Sequence, residues 1–316
     1  GGIGLLTVGL TTLQIVLERG QEVDWFASHW IVIGTAIAFV AISGLILWEL
    51  TRDEPIVNFR LFRNVRLSAG SGMGAVIGFA LFGSTFLLPN ITQDVLDYSA
   101  YRAGLVLAPR AIAMFCIMPV VGYVYNRISP RWLIGFGMTM LAVAYWGLSH
   151  LQSRIGFFNF VPLLIESGIG TGCSMVILST VSLSSMPRAN MTAAAGLYTL
   201  IRRVSGNIAY AVLATMVQRR TQVHRAMLDG NINVFNPGLH QYDSAANARL
   251  LNLGYSSSTF GTRDLLIVNG VLNRQSTMMA YNDTFRLLFW LFTLALPLIV
   301  LLPKRGIPPT KQAIEE

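Results

Sequence analysis

The sequence predicts an all-α protein, a polytopic transmembrane helical bundle, and three observations predict it. The chain of 316 residues is 53% hydrophobic and 12% charged, against about 25% charged for an ordinary soluble domain. Its mean hydropathy is +0.55. The apolar residues come in long blocks: residues 31–48, 68–90 and 132–149 contain no charge, and each block approaches the ~20 residues that carry a helix across a bilayer. Finally, cations gather on alternate connections, as they do in membrane proteins.

Eight spans follow in order. The first, residues 3–17, is short; the chain opens at Gly1 without Met and already in an apolar run, which reads as a piece whose N-terminal part is missing. Trp25, Phe26 and Trp30 then supply interface aromatics before the second span, 30–48. The third, 68–90, carries Gly70, Gly72, Gly74 and Gly78. Tyr98 and Tyr101 mark the interface before the fourth, 101–124, which contains Pro109 and Pro119. The fifth is 131–150. The sixth, 157–184, carries Gly168, Gly170 and Gly172, and the seventh is 193–217. Residues 218–283 form one long polar connection, weakly helical at 218–228, 243–253 and 263–279 and broken at Asn236-Pro237-Gly238. The eighth span is 284–302. The glycines read either as close helix packing or as sliding interfaces.

Net charge is +8. The cations lie mainly in the connections after the second, fourth and sixth spans and in the tail: Arg52, Arg60, Arg63, Arg66, Arg127, Arg131, Arg188, Lys304, Arg305 and Lys311, against Arg19, Arg102 and Arg154 opposite. The positive-inside rule then puts the C-terminus in the cytoplasm and the long connection outside. Topology therefore accounts for the basic balance, and no nucleic-acid partner is called for. Cys116 and Cys173 lie in apolar segments with no metal spacing. There is no phosphate-binding glycine loop, His pair or nucleophile elbow. The chain is read as no enzyme, with no metal and no cofactor.

Leu13-Gln14, Leu17-Glu18-Arg19-Gly20, Asp24-Trp25-Phe26 and Ser28 precede the second span; Trp48-Glu49-Leu50, Pro55-Ile56-Val57 and Leu61-Phe62 follow it. This run resembles the drug:proton antiporters of the EmrB/QacA type within the major facilitator superfamily. The resemblance covers essentially the whole chain, including Ala103-Gly104-Leu105 and Phe235-Asn236-Pro237. A second motif runs from Gly122 through Asn126 and Arg127 to Arg131 and is similar to the superfamily's loop signature, with Asn126 where an acid is usual. It implies a gating loop that tethers helix ends in one conformation, or, on the residues alone, arginines that anchor topology.

The resemblance implies fourteen spans: six in an N-terminal bundle, two extra, and six in a C-terminal bundle. The chain then holds the two extra spans at 1–50, a cytoplasmic connection at 51–67, the C-terminal bundle at 68–302 with an external loop at 218–283, and a tail at 303–316. The N-terminal half, with the family's main proton-carrying acids, is missing, so this piece alone is not expected to transport. The implied activity is proton-driven export of amphipathic drugs by alternating access in a bacterial inner membrane. The implied partners are small amphipathic substrates, protons, the bilayer and the N-terminal half, with a periplasmic adaptor and outer-membrane channel in some relatives. Export of a dedicated metabolite, such as a siderophore or fatty acid, is the neighbouring reading. A non-transporting scaffold or sensor, or a membrane-embedded enzyme, would be a different class.

Arg110, Glu166 and Arg202 stand inside the fourth, sixth and seventh spans. At about 1.5 Å per residue each lies roughly 13 Å along its span, near the middle of a ~30 Å hydrocarbon layer. Intramembrane ionisable groups are costly and mark substrate and ion pathways. The resemblance places these spans around the central cavity; the fifth and eighth are read as lipid-facing and free of interior charge. Three roles are open to Glu166: partner of a cationic substrate, protonatable coupling group, or half of an ion pair with Arg110 or Arg202. Arg203, turned about 100° from Arg202, and Asn207 are further cavity candidates, and Gln14 a weaker one.

Overall fold

A computed structural model of the chain describes residues 1–52, 57–125, 127–152, 156–184, 186–230 and 260–301, with backbone alone at 260–267 and 301. Eight long helices run through them: α1 Gly2–Arg19, α2 His29–Thr51, α3 Val65–Asp94, α4 Ala100–Tyr125, α5 Pro130–Leu148, α6 Phe157–Leu183, α7 Met191–Asp229 and α8 Phe260–Ala295. All eight expected spans are helical. Among the described residues six helices, α1 to α4, α6 and α8, are long and apolar enough to cross a membrane. The chain is an all-α, multi-pass membrane bundle.

The last two helices differ from expectation. α7 has 39 residues, about 58 Å of helix, and α8 starts 24 residues before the expected span. Residues 218–229 and 260–283, assigned to the long connection, are therefore helix. Apolar length measures what lipid will cover; a polar extension remains helical without a break. Residues 243–253 and the Asn-Pro-Gly break lie outside the described residues. At the other end, Pro297 has no N–H to continue the ladder, and the chain tightens into a 3-10 turn, Leu296–Leu301.

α3 packs along α7, α4 and α5 both pack along α6, α8 lies against α5 and α7, and α1 pairs with α2. The core gathers Met73, Leu87, Ile91, Met138, Tyr145, Phe160, Phe285 and Phe292. α5 and α8, expected to face lipid, expose Trp132, Phe136, Trp146, Trp290 and Leu294. Each also has a buried face, because Tyr145 of α5 stacks on Phe292 of α8 with centroids 5.7 Å apart. Arg286, at the edge of the span as first read, stands well inside α8 and is exposed.

Glycine sets the closest approaches. A Cβ at Gly168 would meet the carbonyl of Arg110, and one at Gly78 the carbonyl of Arg202. Gly172 likewise faces α4 at Met114 and Ile117, whereas Gly170, on the opposite side of α6, faces Gly137 and Leu141 of α5. Close packing is therefore observed at these positions, while Gly72 has open space beside it. Gly168→Val is expected to cost about 1–3 kcal/mol by overpacking, read as a lowered unfolding midpoint in detergent. Gly72→Ala is expected to leave that midpoint unchanged.

Candidate functional site

Arg110 is 6% exposed and ten residues into α4, about 15 Å from its start. Its Nη1 donates to Ser84 Oγ of α3 at 2.6 Å. Tyr145 Oη of α5 lies 3.1 Å from the same Ser84 oxygen and 3.2 Å from the Ala80 carbonyl. Ser84 in turn donates to Leu81 O at 3.1 Å. One serine oxygen thus joins three helices around a cation. The join is incomplete, because Arg110 Nη2 is buried without a hydrogen-bond partner.

Glu166, nine residues into α6, is half-buried, and its Oε2 is also buried without a partner. Among the described residues no ion pair within 4 Å joins Glu166 to Arg110 or Arg202. The ion-pair role is therefore not realised in this conformation. Arg202 is half-buried with its guanidinium over the Tyr198 ring, 6.0 Å from the centroid. Among the described residues the three charges are not joined to one another by direct bonds.

Arg203 and Asn207 do come together, one turn apart on α7. They line a cavity of about 460 Å³ with Gln14, Leu10 and Leu13 of α1 and Phe82 of α3. The weaker candidate Gln14 thus faces the two others across the α1–α7 seam, and Arg110 and Glu166 are not among the residues lining it.

The residues expected to form a gating loop split. Arg131 Nη2 donates to the Val300 carbonyl at 2.6 Å, tying the start of α5 to the turn after α8. Arg127 stays local: its Nη2 donates to Tyr123 Oη at 2.7 Å, and its guanidinium lies over the Tyr123 ring. Gly122 has open space around it. Asn126 lies outside the described residues.

The motif around the first hairpin has a physical reading. The chain turns after α1 with Asp24 and Trp25 at positive φ. Trp25 N donates to Gly20 O at 2.6 Å, and its ring occupies the space a Cβ on Gly20 would need. Trp25 Nε1 then donates to Thr215 Oγ1 of α7 at 3.1 Å. On the other side of α2, Glu49 is 3% exposed and accepts from Val57 N at 3.2 Å. The Gly20–Trp25 and Glu49–Val57 contacts tie down the two ends of the α1–α2 hairpin.

Residues 3–210, more than half of the chain, match the Major Facilitator Superfamily. The chain belongs to this family. It is 36% identical to the multidrug export protein EmrB of Escherichia coli strain K12 over 238 residues, 75% of this chain and 46% of that protein. It is 28% identical to the probable multidrug resistance protein EmrY of the same strain, over 90% of this chain and 54% of that protein. The fatty acid resistance protein FarB of Neisseria gonorrhoeae is 29% identical over 94% of this chain and 57% of its own length. The chain thus spans about half the length of the curated relatives it matches. Among solved structures, an inward-facing bacterial homologue of the human lysosomal transporter Spinster has a TM-score of 0.49 at 16% identity, covering 84% of this chain and 57% of that one.

Sequence reasoning missed Ser84, Tyr145 and a cluster between the last turns of α7 and the interior of α8. There His224 Nε2 lies 2.8 Å from Asp283 Oδ2, with Arg220 Nε at 3.7 Å. Only the helical extension of residues 218–229 and 260–283 brings these side chains together. For Arg110, Ser84→Ala is expected to cost about 1–3 kcal/mol, because it strands a buried charged donor. Tyr145→Phe, which keeps the ring stack, is expected to cost about 1 kcal/mol. Unfolding midpoints of the two variants in detergent check the order.

Proposed function

We propose that the full-length protein is a proton-driven exporter of small amphipathic compounds, including drugs, that works by alternating access in a bacterial inner membrane. Membership of a transporter superfamily supports export. The multidrug-export names of EmrB and EmrY support the substrate class. The observation that carries the site is the pair of orphaned groups, Arg110 Nη2 and Glu166 Oε2, buried on neighbouring helices. Hydrocarbon supplies no hydrogen bonds, so such groups persist where a substrate, water or another protein element completes them. Glu166 supplies an acceptor to a substrate cation or a proton, and Arg110, held by Ser84 and Tyr145, supplies a fixed cation on the neighbouring helix.

The two extra spans are residues 1–50 and the C-terminal bundle 68–302; the tail 303–316 is cytoplasmic, and the region read as 218–283 projects outside. In the full-length protein an N-terminal half carries the opposite wall of the cavity and the main coupling acids. Switching rocks one half against the other. The Arg131 tie to Val300 O acts as the cytoplasmic latch, Gly122 gives the loop room to move, and Arg127 and Asn126 complete it. The paired extensions of α7 and α8 offer a surface to a periplasmic adaptor that leads to an outer-membrane channel. The name of FarB favours a second reading, export of a dedicated acidic metabolite.

In the full-length protein, Glu166→Gln is expected to change the substrate range or lower substrate-driven proton flux in proteoliposomes several-fold. Unchanged efflux of both cationic and anionic substrates would remove Glu166 from the mechanism. Absence of any substrate-dependent proton flux in the wild type would favour a scaffold or sensor.

A further inference from the structure

Two cavities follow one another along the seam between α1 and α7. The first, of about 460 Å³, sets Leu10, Leu13 and Gln14 of α1 opposite Arg203, Val204 and Asn207 of α7. The second, of about 530 Å³, sets Leu17 and Trp25 opposite Ala211, Thr215 and Arg219. Both volumes fall in the ~300–1,000 Å³ range of small-molecule sites. The α1 residues recur at helical spacing, so one face of the extra hairpin lines the whole seam.

The charge of the first cavity is unbalanced. Arg203 is twelve residues into α7, about 18 Å from its start, and is exposed toward the cavity. Among the described residues no carboxylate lies within 4 Å of it. The nearest acid on this face of α1, Glu18, is held by the Gln14 amide at 2.9 Å. Asn207, one turn further along α7, adds a second polar group on the same face. Around them the walls are aliphatic, with Phe82 of α3 closing the back. A guanidinium at this depth needs an anion, and the leucines beside it need an apolar body. In the second cavity Arg220 is engaged by Asp283, while Arg219 has no such partner among the described residues.

We infer that this seam binds an acidic, single-chain amphiphile, with its carboxylate on Arg203 and Asn207 and its chain against Leu10 and Leu13. A guanidinium takes a carboxylate in bidentate fashion, a geometry that an ammonium does not reproduce. The second cavity continues the same wall past Leu17 to Trp25, so the seam is a route along the bundle with Arg219 as its next cation. The substrate thereby enters between the extra hairpin and the C-terminal bundle, and the hairpin is a wall of the binding site. The inference deepens the export reading by naming a substrate class, and it rests on that reading only for the direction of movement.

The test is equilibrium binding of radiolabelled oleate to the purified full-length protein in nanodiscs, with no proton gradient. Saturable binding is expected, with methyl oleate, which lacks the charge, competing at least tenfold more weakly than oleate. Arg203→Gln is expected to weaken oleate binding at least tenfold, Arg203→Lys less, and Arg286→Gln, on the exposed face of α8, not at all. Should Arg203→Gln fail to fold, Asn207→Leu and Gln14→Leu test the same wall. Wild-type oleate affinity in Arg203→Gln, or in both Asn207→Leu and Gln14→Leu, overturns the site. Equal competition by methyl oleate, or displacement of oleate by phosphatidylglycerol at lower concentration than by oleate itself, overturns the single-chain acid. Loss of oleate-driven proton flux with binding intact would refute export and leave the site standing.

Discussion

The arrangement around Arg110 depends on a constraint that water would relax and hydrocarbon does not: a buried guanidinium must be held on every side. Ser84 and Tyr145 hold one side of it. That grip depends on Tyr145 being fixed by the aromatic stack with Phe285 and Phe292, and so on α5 and α8 staying packed. It depends equally on α4 and α6 lying close enough at Gly168 for the two backbones to meet. Helices read as lipid-facing thus brace a charge on a helix read as cavity-lining. Arg110 Nη2, and Glu166 Oε2 on the neighbouring helix, are the charged groups among the buried atoms that the described residues leave without a partner.

Much of this was legible in the sequence. Long apolar runs marked the eight helices, and Arg110, Glu166 and Arg202 announced themselves by their cost in an apolar span. The partners did not. Ser84 sits in a stretch of small residues where no pattern distinguishes one hydroxyl from the next, and Tyr145 lies in a helix with no charge to draw attention to it. Hydrophobic length also ended the last two helices early: residues such as Arg220, His224 and Asp283 lower hydropathy without breaking a helix, so their cluster could not be foreseen. Equal depth does not specify azimuth, so it left the three roles of Glu166 open. Azimuth instead brings Arg203 and Asn207 to Gln14, because residues four apart share a face.

The family motifs gain a physical content. Gly20 leaves room for the Trp25 ring, and that ring reaches α7 through Thr215. Glu49 anchors the loop after α2 through Val57 N. Both contacts hold the extra hairpin to its surroundings, which is why the seam beside it is a shaped surface.

A cryo-EM structure of the full-length protein with substrate bound tests the central claim most directly, at a resolution that places side chains and ordered water. The account predicts that Arg110 Nη2 and Glu166 Oε2 each lie within hydrogen-bonding distance of substrate, water or a group of the N-terminal half. Both atoms dry and unbonded, with substrate seated elsewhere, would contradict it.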